Sequence, residues 1–225
     1  MINKIKKIIV FGGGTSGWLS AAYLVNNLQH PVEITLIEDS SKGPIGVGEG
    51  TQPYTAAFLW KCGIAPADWM KESHAAFKYG VELIGWNKTP YFVDNDSVNN
   101  SVISDNYFTS HYFSTKPHDE FLKWHPSYRL AKNNISPKLD YDLDFNFASN
   151  LENYGAVHFS ASDIINTIQT LISDKIKYVD TKIVKINNDA NGITGLVSDD
   201  NKEYSADLYI DCSGFSSLLL EQTLK

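Results

Sequence analysis

The chain has 225 residues, of which 43% are hydrophobic, 12% aromatic and 20% charged. That apolar fraction excludes disorder, collagen and low-complexity fibre, and at ~150 residues per domain the length fits one large domain or one domain with an excursion. The net charge of −7 excludes a nucleic-acid binder that relies on a broad positive field, and a load of 5 Trp, 12 Tyr and 11 Phe calls for a sizeable core or an aromatic-lined cavity.

The basic start (Lys4, Lys6, Lys7) ahead of Ile8-Ile9-Val10-Phe11 imitates a signal peptide, but Gly12-Gly13-Gly14 cuts the apolar run too early. No stretch reaches the ~18 apolar residues of a membrane-spanning helix. Cys62 and Cys212 lie far apart, with no spacing that suggests a disulfide scaffold or a structural zinc site. The expectation is a soluble, cytoplasmic-type protein with reduced thiols, no membrane contact and no nucleic-acid partner.

Residues 5–40 read as a βαβ unit. Ile8-Ile9-Val10-Phe11 makes a buried strand of the kind found inside parallel sheets, Gly12 to Gly17 a turn, Ser16 to Leu28 a helix, and Val32 to Ile37 a second strand ending in Glu38-Asp39. The stretch Lys42 to Gly50 is too rich in glycine for a helix. Residues 53–80 look helical in two pieces broken around Gly63-Ile64-Ala65-Pro66, with Asp68 as N-cap of the second, and Val81 to Ile84 follows as a strand. From about 87 to 150 the composition turns to Asn, Asp, Ser and aromatic residues with little periodicity, which reads as an inserted cap or loop region. Ile164, Ile165, Ile168, Leu171 and Ile172 form one helical face, with Asp163 favourable in the first turn. Three strands come next, Tyr178 to Ile186, Ile193 to Ser198 and Lys202 to Tyr204, and a last strand, Asp207 to Asp211, runs into Cys212-Ser213-Gly214.

Gly12-x-Gly14-x-x-Gly17 lies between a strand and a helix, the setting that gives this spacing meaning. The first glycine permits the tight turn, the second lets backbone approach a pyrophosphate, and the third lets helix and sheet pack closely. The helix start supplies amides and a positive dipole end. Glu38 ends the second strand, about 20 residues beyond the last glycine, where a carboxylate can bond ribose hydroxyls. His111, His118 and His125 recur at a spacing too regular and too wide for a metal cluster, so solvated histidines and no metal are expected. Cys212 reads as a small residue beside the sheet rather than a nucleophile.

The final strand Asp207 to Gly214 resembles the one that in FAD-dependent oxidoreductases returns beside the first strand, and the three strands before it resemble their β-meander. That leans the dinucleotide toward FAD rather than a nicotinamide. Further blocks make the resemblance specific: Gly12-Gly13-Gly14-Thr15-Ser16-Gly17-Trp18, Ile45-Gly46-Val47-Gly48-Glu49-Gly50-Thr51-Gln52-Pro53, Ala76-Phe77-Lys78-Tyr79-Gly80-Val81 with Trp86, Val157-His158-Phe159-Ser160-Ala161, and Asp207 to Phe215. In this order they are similar to the flavin-dependent tryptophan halogenases.

The resemblance implies an α/β fold: a Rossmann-like FAD/NAD(P)-binding domain over 1–225 with a β-meander and an inserted, irregular, aromatic-rich region at 87–150. It implies FAD held by Gly12, Gly13, Gly14, Thr15, Ser16, Gly17, Glu38 and Gly214, a flavin-contacting strap at Val47, Gly48 and Glu49, and Ile183 beside the adenine. It implies a separate flavin reductase that supplies reduced FAD, halide as co-substrate, and a small aromatic substrate such as tryptophan or another indole. The reduced flavin reacts with oxygen, halide is oxidised to hypohalous acid, and a lysine aims the electrophilic halogen at an aromatic carbon. Lys78 stands in that lysine's place, and the role suits a compact donor on a flexible stem. On its residues alone Lys78 reads as a solvated side chain at a helix end.

The family's Trp-x-Trp-x-Ile-Pro segment and its later Glu-containing segment, which supplies the base for the ring proton and the halide site, have no counterpart here. Cofactor binding is therefore expected of these residues, and regioselective halogenation by them alone is not. A homo-oligomer or a second chain is expected to cover apolar surface. The alternatives are a flavin monooxygenase of the same superfamily and a non-catalytic FAD-binding or assembly module with Lys78 vestigial.

Overall fold

The computed structural model describes residues 5–43, 48–52, 54–86, 91–94, 126–135 and 156–224. In chain order its elements are β1 (Lys7–Phe11), α1 (Thr15–Asn27), β2 (Glu33–Glu38), β3 (Gly48–Gly50), α2 (Thr55–Lys61), α3 (Pro66–Trp69), β4 (Ala76–Lys78), β5 (Gly80–Leu83) and β6 (Tyr91–Asp94). Then come α4 (Pro126–Lys132), β7 (Ala156–Ser160), α5 (Ala161–Ile172), β8 (Lys177–Asp180), β9 (Ile183–Asp189), β10 (Gly192–Ser198), β11 (Glu203–Tyr204) and β12 (Leu208–Asp211). The chain divides into two compact units, one of Met1–Val47, Lys61–Ile64 and Ala161–Lys225, the other of Gly48–Trp60 and Ala65–Ser160.

The first unit is built on a parallel sheet in the order β12-β1-β2-β8. Its centre is the unbroken apolar run of β1, where Ile8, Ile9, Val10 and Phe11 are all buried because both faces of the sheet are covered. Ile9, Phe11 and Ile37 point to one face and join Leu196 and Leu219 in a core, with Ile183, Ile186 and Tyr209 packed around it. This face carries the antiparallel meander β9-β10-β11. The other face lies under the helices: Trp18 of α1 is buried and stacks on Tyr178 of β8 at 5.7 Å between ring centroids. The α5 residues Ile164, Ile165, Ile168 and Ile172 are buried on one stripe, as their spacing predicts. Asp207 fixes the entry of β12, its carboxylate accepting the backbone N–H of Lys6 at 2.8 Å and of Lys7 at 2.9 Å, which holds its pKa below the usual value.

In place of one strand over Tyr178 to Ile186 there are two strands in different sheets. β8 pairs with β2 through Asp180, where the Thr181 N–H donates to the Glu38 carbonyl at 2.7 Å, and β9 leaves to pair with β10. Apolar patterning cannot register this break, because Val179 and Ile183 on its two sides feed the same core.

The second unit contains the antiparallel sheet β3-β7-β4 and the hairpin β5-β6. Trp69 and Phe159 meet edge to face at 6.2 Å, and α4 is tied to the hairpin by Lys132–Glu82 at 2.8 Å and by Tyr128 against Phe92 at 5.3 Å. The second helical piece is far shorter than its sequence suggests. It ends at Trp69, and Ala76–Lys78 and Gly80–Leu83 are strands. Asp68 is not the N-cap: Ala65 is, and the Asp68 carboxylate reaches back to its N–H at 3.1 Å. His74 at φ 53 turns the chain after Ser73, ending any helical continuation, and β7 then takes up Ala76–Lys78 as a paired strand. Most of 87–150, including His111, His118 and His125, lies outside the described residues; within them the region contributes β6 and α4.

Candidate functional site

Three of the four glycines in the turn between β1 and α1 are each held to glycine by a different neighbour. Gly12 sits at φ +119, and any side chain there would run into the Cys212 carbonyl. At Gly13 a Cβ would occupy the place of the Glu38 carboxylate, and at Gly17 that of the Gly12 carbonyl oxygen. Gly14 differs, since a Cβ there meets nothing within 4 Å. It stands at the N-cap of α1 with no side-chain capping hydrogen bond, and α1 has no acidic residue in its first turn, so a positive helix end faces open space.

That space is a cleft of about 610 Å³ within the first unit, in the size range of small-molecule sites. Of the residues singled out from sequence, Gly12, Gly13, Gly14, Glu38 and Gly214 line it together. Thr15 and Ser16 form the first turn of α1, and Gly17 is buried beneath the glycine turn. Ile183 is not brought to the cleft; it packs against the Ile9–Leu196 core on β9. Val47 lies outside the described residues. Sequence reasoning missed Ser162, Asn166 and Gln169, which line the cleft from α5. Their signal was present, because positions i, i+4 and i+7 form a polar stripe beside the apolar one.

Glu38 lines the cleft together with two other charged residues, Asp39 and Lys42. Burial raises the Glu38 pKa, the Tyr178 hydroxyl donating to Oε1 at 2.6 Å opposes that, and the nearby Asp180 carboxylate adds to the rise. Asp180 is itself held below the ordinary aspartate value by the Ser40 hydroxyl at 2.6 Å and the Ser40 N–H at 2.9 Å. On the opposite rim Asp211 organises the turn after β12. Its carboxylate accepts Ser213 N–H at 3.0 Å, Leu219 N–H at 2.9 Å, Leu220 N–H at 3.0 Å and the Ser213 hydroxyl. Burial would raise the Asp211 pKa, but these donors outweigh it and keep it below the usual value.

In the second unit β7 brings the glycine strap and the lysine strand together. Gly50 pairs with His158 on one side, and Lys78 pairs with Ala156 on the other. Because side chains alternate along a strand, Gly50, His158 and Lys78 share one face and Glu49, opposite Phe159, takes the other. A Cβ on Gly50 would come within 3.1 Å of the His158 ring and 3.6 Å of Lys78 Nζ, so the missing side chain leaves room for both. Lys78 is half-buried on a strand and not at a helix end, and its Nζ donates to the Thr51 carbonyl at 3.2 Å. Thr51 in turn is locked to β7, its N–H on the Val157 carbonyl at 2.8 Å and its Oγ1 accepting the Val157 N–H at 2.9 Å.

Comparison with known proteins agrees with this geometry. The family model described as tryptophan halogenase matches residues 7–225. The chain is 30% identical over 243 residues to tryptophan 7-halogenase RebH of Lentzea aerocolonigenes, covering all of this chain and 45% of that protein. It is 29% identical over 248 residues to tryptophan 6-halogenase ThaL of Streptomyces albogriseolus, again covering all of this chain and 45% of the relative. Among solved structures, the tryptophan 6-halogenase SttH of Streptomyces toxytricini superposes with a TM-score of 0.81 at 25% identity, over 99% of this chain and 46% of that one. A flavin-dependent halogenase from Xanthomonas campestris gives 0.79 at 26%, over 99% and 45%. The chain thus spans less than half the length of these relatives, but its match extends through the glycine turn, the strap, the lysine strand and the closing turn. It belongs to the tryptophan halogenase family.

Proposed function

We propose that this chain carries the cofactor-holding and halogen-aiming residues of a flavin-dependent halogenase acting on tryptophan, another indole or a similarly electron-rich aromatic. The observation that carries the reading is the cleft in which Gly12, Gly13, Gly14, Glu38 and Gly214 converge on the open start of α1. These residues fit FAD by its adenosine diphosphate end. The α1 dipole and amides suit the diphosphate, Gly14 leaves room for its approach, and the Glu38 carboxylate suits ribose hydroxyls. Bound and reduced, the flavin supplies the oxygen-activating chemistry that turns halide into an electrophile, and a separate reductase provides the reduced form.

Lys78 takes the aiming role. Its amine is tethered to the Thr51 carbonyl and lies near the small Gly50, which holds it in place on the sheet. A hydrogen bond from this amine would fix the halogen donor against an aromatic carbon, and a short tether limits the spread of positions. Glu49 lies on the other sheet face and serves the strap rather than the lysine.

Two measurements test the proposal. FAD titrated into the chain is expected to show quenched flavin fluorescence and a raised melting temperature; the absence of both refutes cofactor binding. Mass spectrometry of reactions with reduced FAD, oxygen, bromide and a panel of indoles, with and without a polypeptide carrying the rest of a relative's fold, is expected to show a brominated product. That product should disappear in Lys78→Ala while the FAD titration is unchanged. A hydroxylated ring in its place would assign the chain to monooxygenase chemistry.

A further inference from the structure

The edge strand β8 sends two side chains across to the rim of the cleft. Tyr178 and Asp180 are two residues apart and share a face, and each meets the end of β2 or the turn after it. The Tyr178 hydroxyl donates to Glu38 Oε1 at 2.6 Å, and Asp180 clamps Ser40 through its hydroxyl at 2.6 Å and its N–H at 2.9 Å. The Tyr178 ring is anchored on Trp18, which is 2% exposed, at 5.7 Å and 26° between planes. The second carboxylate oxygen, Glu38 Oε2, lies over the α-carbon of Gly13, in the space a side chain there would fill. Glu38 lines the cleft and Tyr178 does not, so the hydroxyl holds the carboxylate from behind without occupying the ligand's side.

A glutamate on a flexible stem would otherwise have to be ordered when a ligand binds, at a cost in side-chain entropy. We propose that Tyr178 is a positioning residue that aims the Glu38 carboxylate at the vicinal hydroxyls of an adenosine ribose, which makes the diol the recognised feature of a nucleoside diphosphate in this cleft. The inference rests on the dinucleotide reading above. The Tyr178 bond supplies the geometry, and Glu38 makes the contact.

The test is calorimetric titration of the 225-residue chain with ADP and with 2′,3′-dideoxy-ADP. The unaltered chain is expected to prefer ADP about tenfold or more, the size of a hydrogen bond to a charged group. In Tyr178→Phe, which keeps the ring on Trp18, that preference should shrink to about twofold while affinity for the dideoxy compound is unchanged. Glu38→Ala should abolish the preference, and combining the two substitutions should remove nothing more. If Tyr178→Phe fails to fold, Tyr178→Met is titrated in its place with the same expectations. A Tyr178 variant that keeps the full preference overturns the inference, as does one that weakens both ligands alike. Neither result touches the dinucleotide reading. An unaltered chain that binds neither nucleotide overturns that reading itself, and one that binds both equally retains the diphosphate site but removes diol recognition.

Discussion

Removing the Asp211 carboxylate should loosen the far rim of the cleft, and the structure sets the size of the effect. In Asp211→Ala three backbone N–H groups and the Ser213 hydroxyl lose their acceptor together. Leu219 is 2% exposed, so its amide has no water to turn to and costs ~1.5–3 kcal/mol as an orphaned donor to a charged group. Leu220 is 63% exposed and Ser213 half-buried, so their groups find water and add a few tenths each, for a sum of ~2–4 kcal/mol. Urea denaturation at neutral pH should show that loss, and hydrogen exchange should show the Leu219 and Leu220 amides opening well ahead of β1. The carboxyl is depressed in the folded chain, so its contribution is complete above the unfolded aspartate value of ~3.9 and disappears as pH falls through the lower folded value. The gap between the unaltered chain and Asp211→Asn should therefore narrow below about pH 4. A loss under ~0.5 kcal/mol with unchanged exchange at Leu219 would refute the role assigned to this carboxylate.

The glycines offer a contrast within one turn. Gly14→Ala meets nothing within 4 Å and has an ordinary φ of −74, so its melting temperature should hold while FAD affinity falls, as read by fluorescence titration. Gly17→Ala drives its methyl into the Gly12 carbonyl and should cost ~2 kcal/mol or more in urea, whatever ligand is present. Thr51→Val removes the buried hydroxyl that accepts the Val157 N–H at 2.9 Å and should destabilise by ~1–2 kcal/mol, with the Val157 amide exchanging faster. Lys132→Met breaks a solvent-exposed pair with Glu82 and should change stability by under ~1 kcal/mol, with the difference shrinking as salt rises; a larger loss would show that α4 depends on this pair.

Some of this was written locally in the chain. The β1 run, the glycine spacing and Glu38 specify a strand, a turn and a carboxylate within a few dozen residues, and each depends on short-range sterics that a sequence states directly. The apolar stripe of α5 is of the same kind. Lys78 was legible as a residue but not in its setting, because a three-residue strand with a half-buried pattern carries no periodicity that distinguishes it from a helix end. The shortness of α3 is hidden in the sequence for the same reason: what stops it is the turn at His74 and the pairing of Ala76–Lys78 with β7, a partner about eighty residues away in sequence.

The sequence by itself determined the glycine turn after β1 and the carboxylate that ends β2, since glycine geometry and a strand-end residue are local properties of the chain. Only the tertiary structure decided that β8 and β9 belong to different sheets and that Ile183 packs against the Ile9–Leu196 core. It alone revealed Tyr178 behind Glu38 and Asp211 as the anchor of the closing turn. Tyr178 and Glu38 are 140 residues apart, and the Asp211 carboxylate meets its amides only once the turn after β12 has closed on it; no local pattern encodes which of several equally apolar or polar groups will meet there.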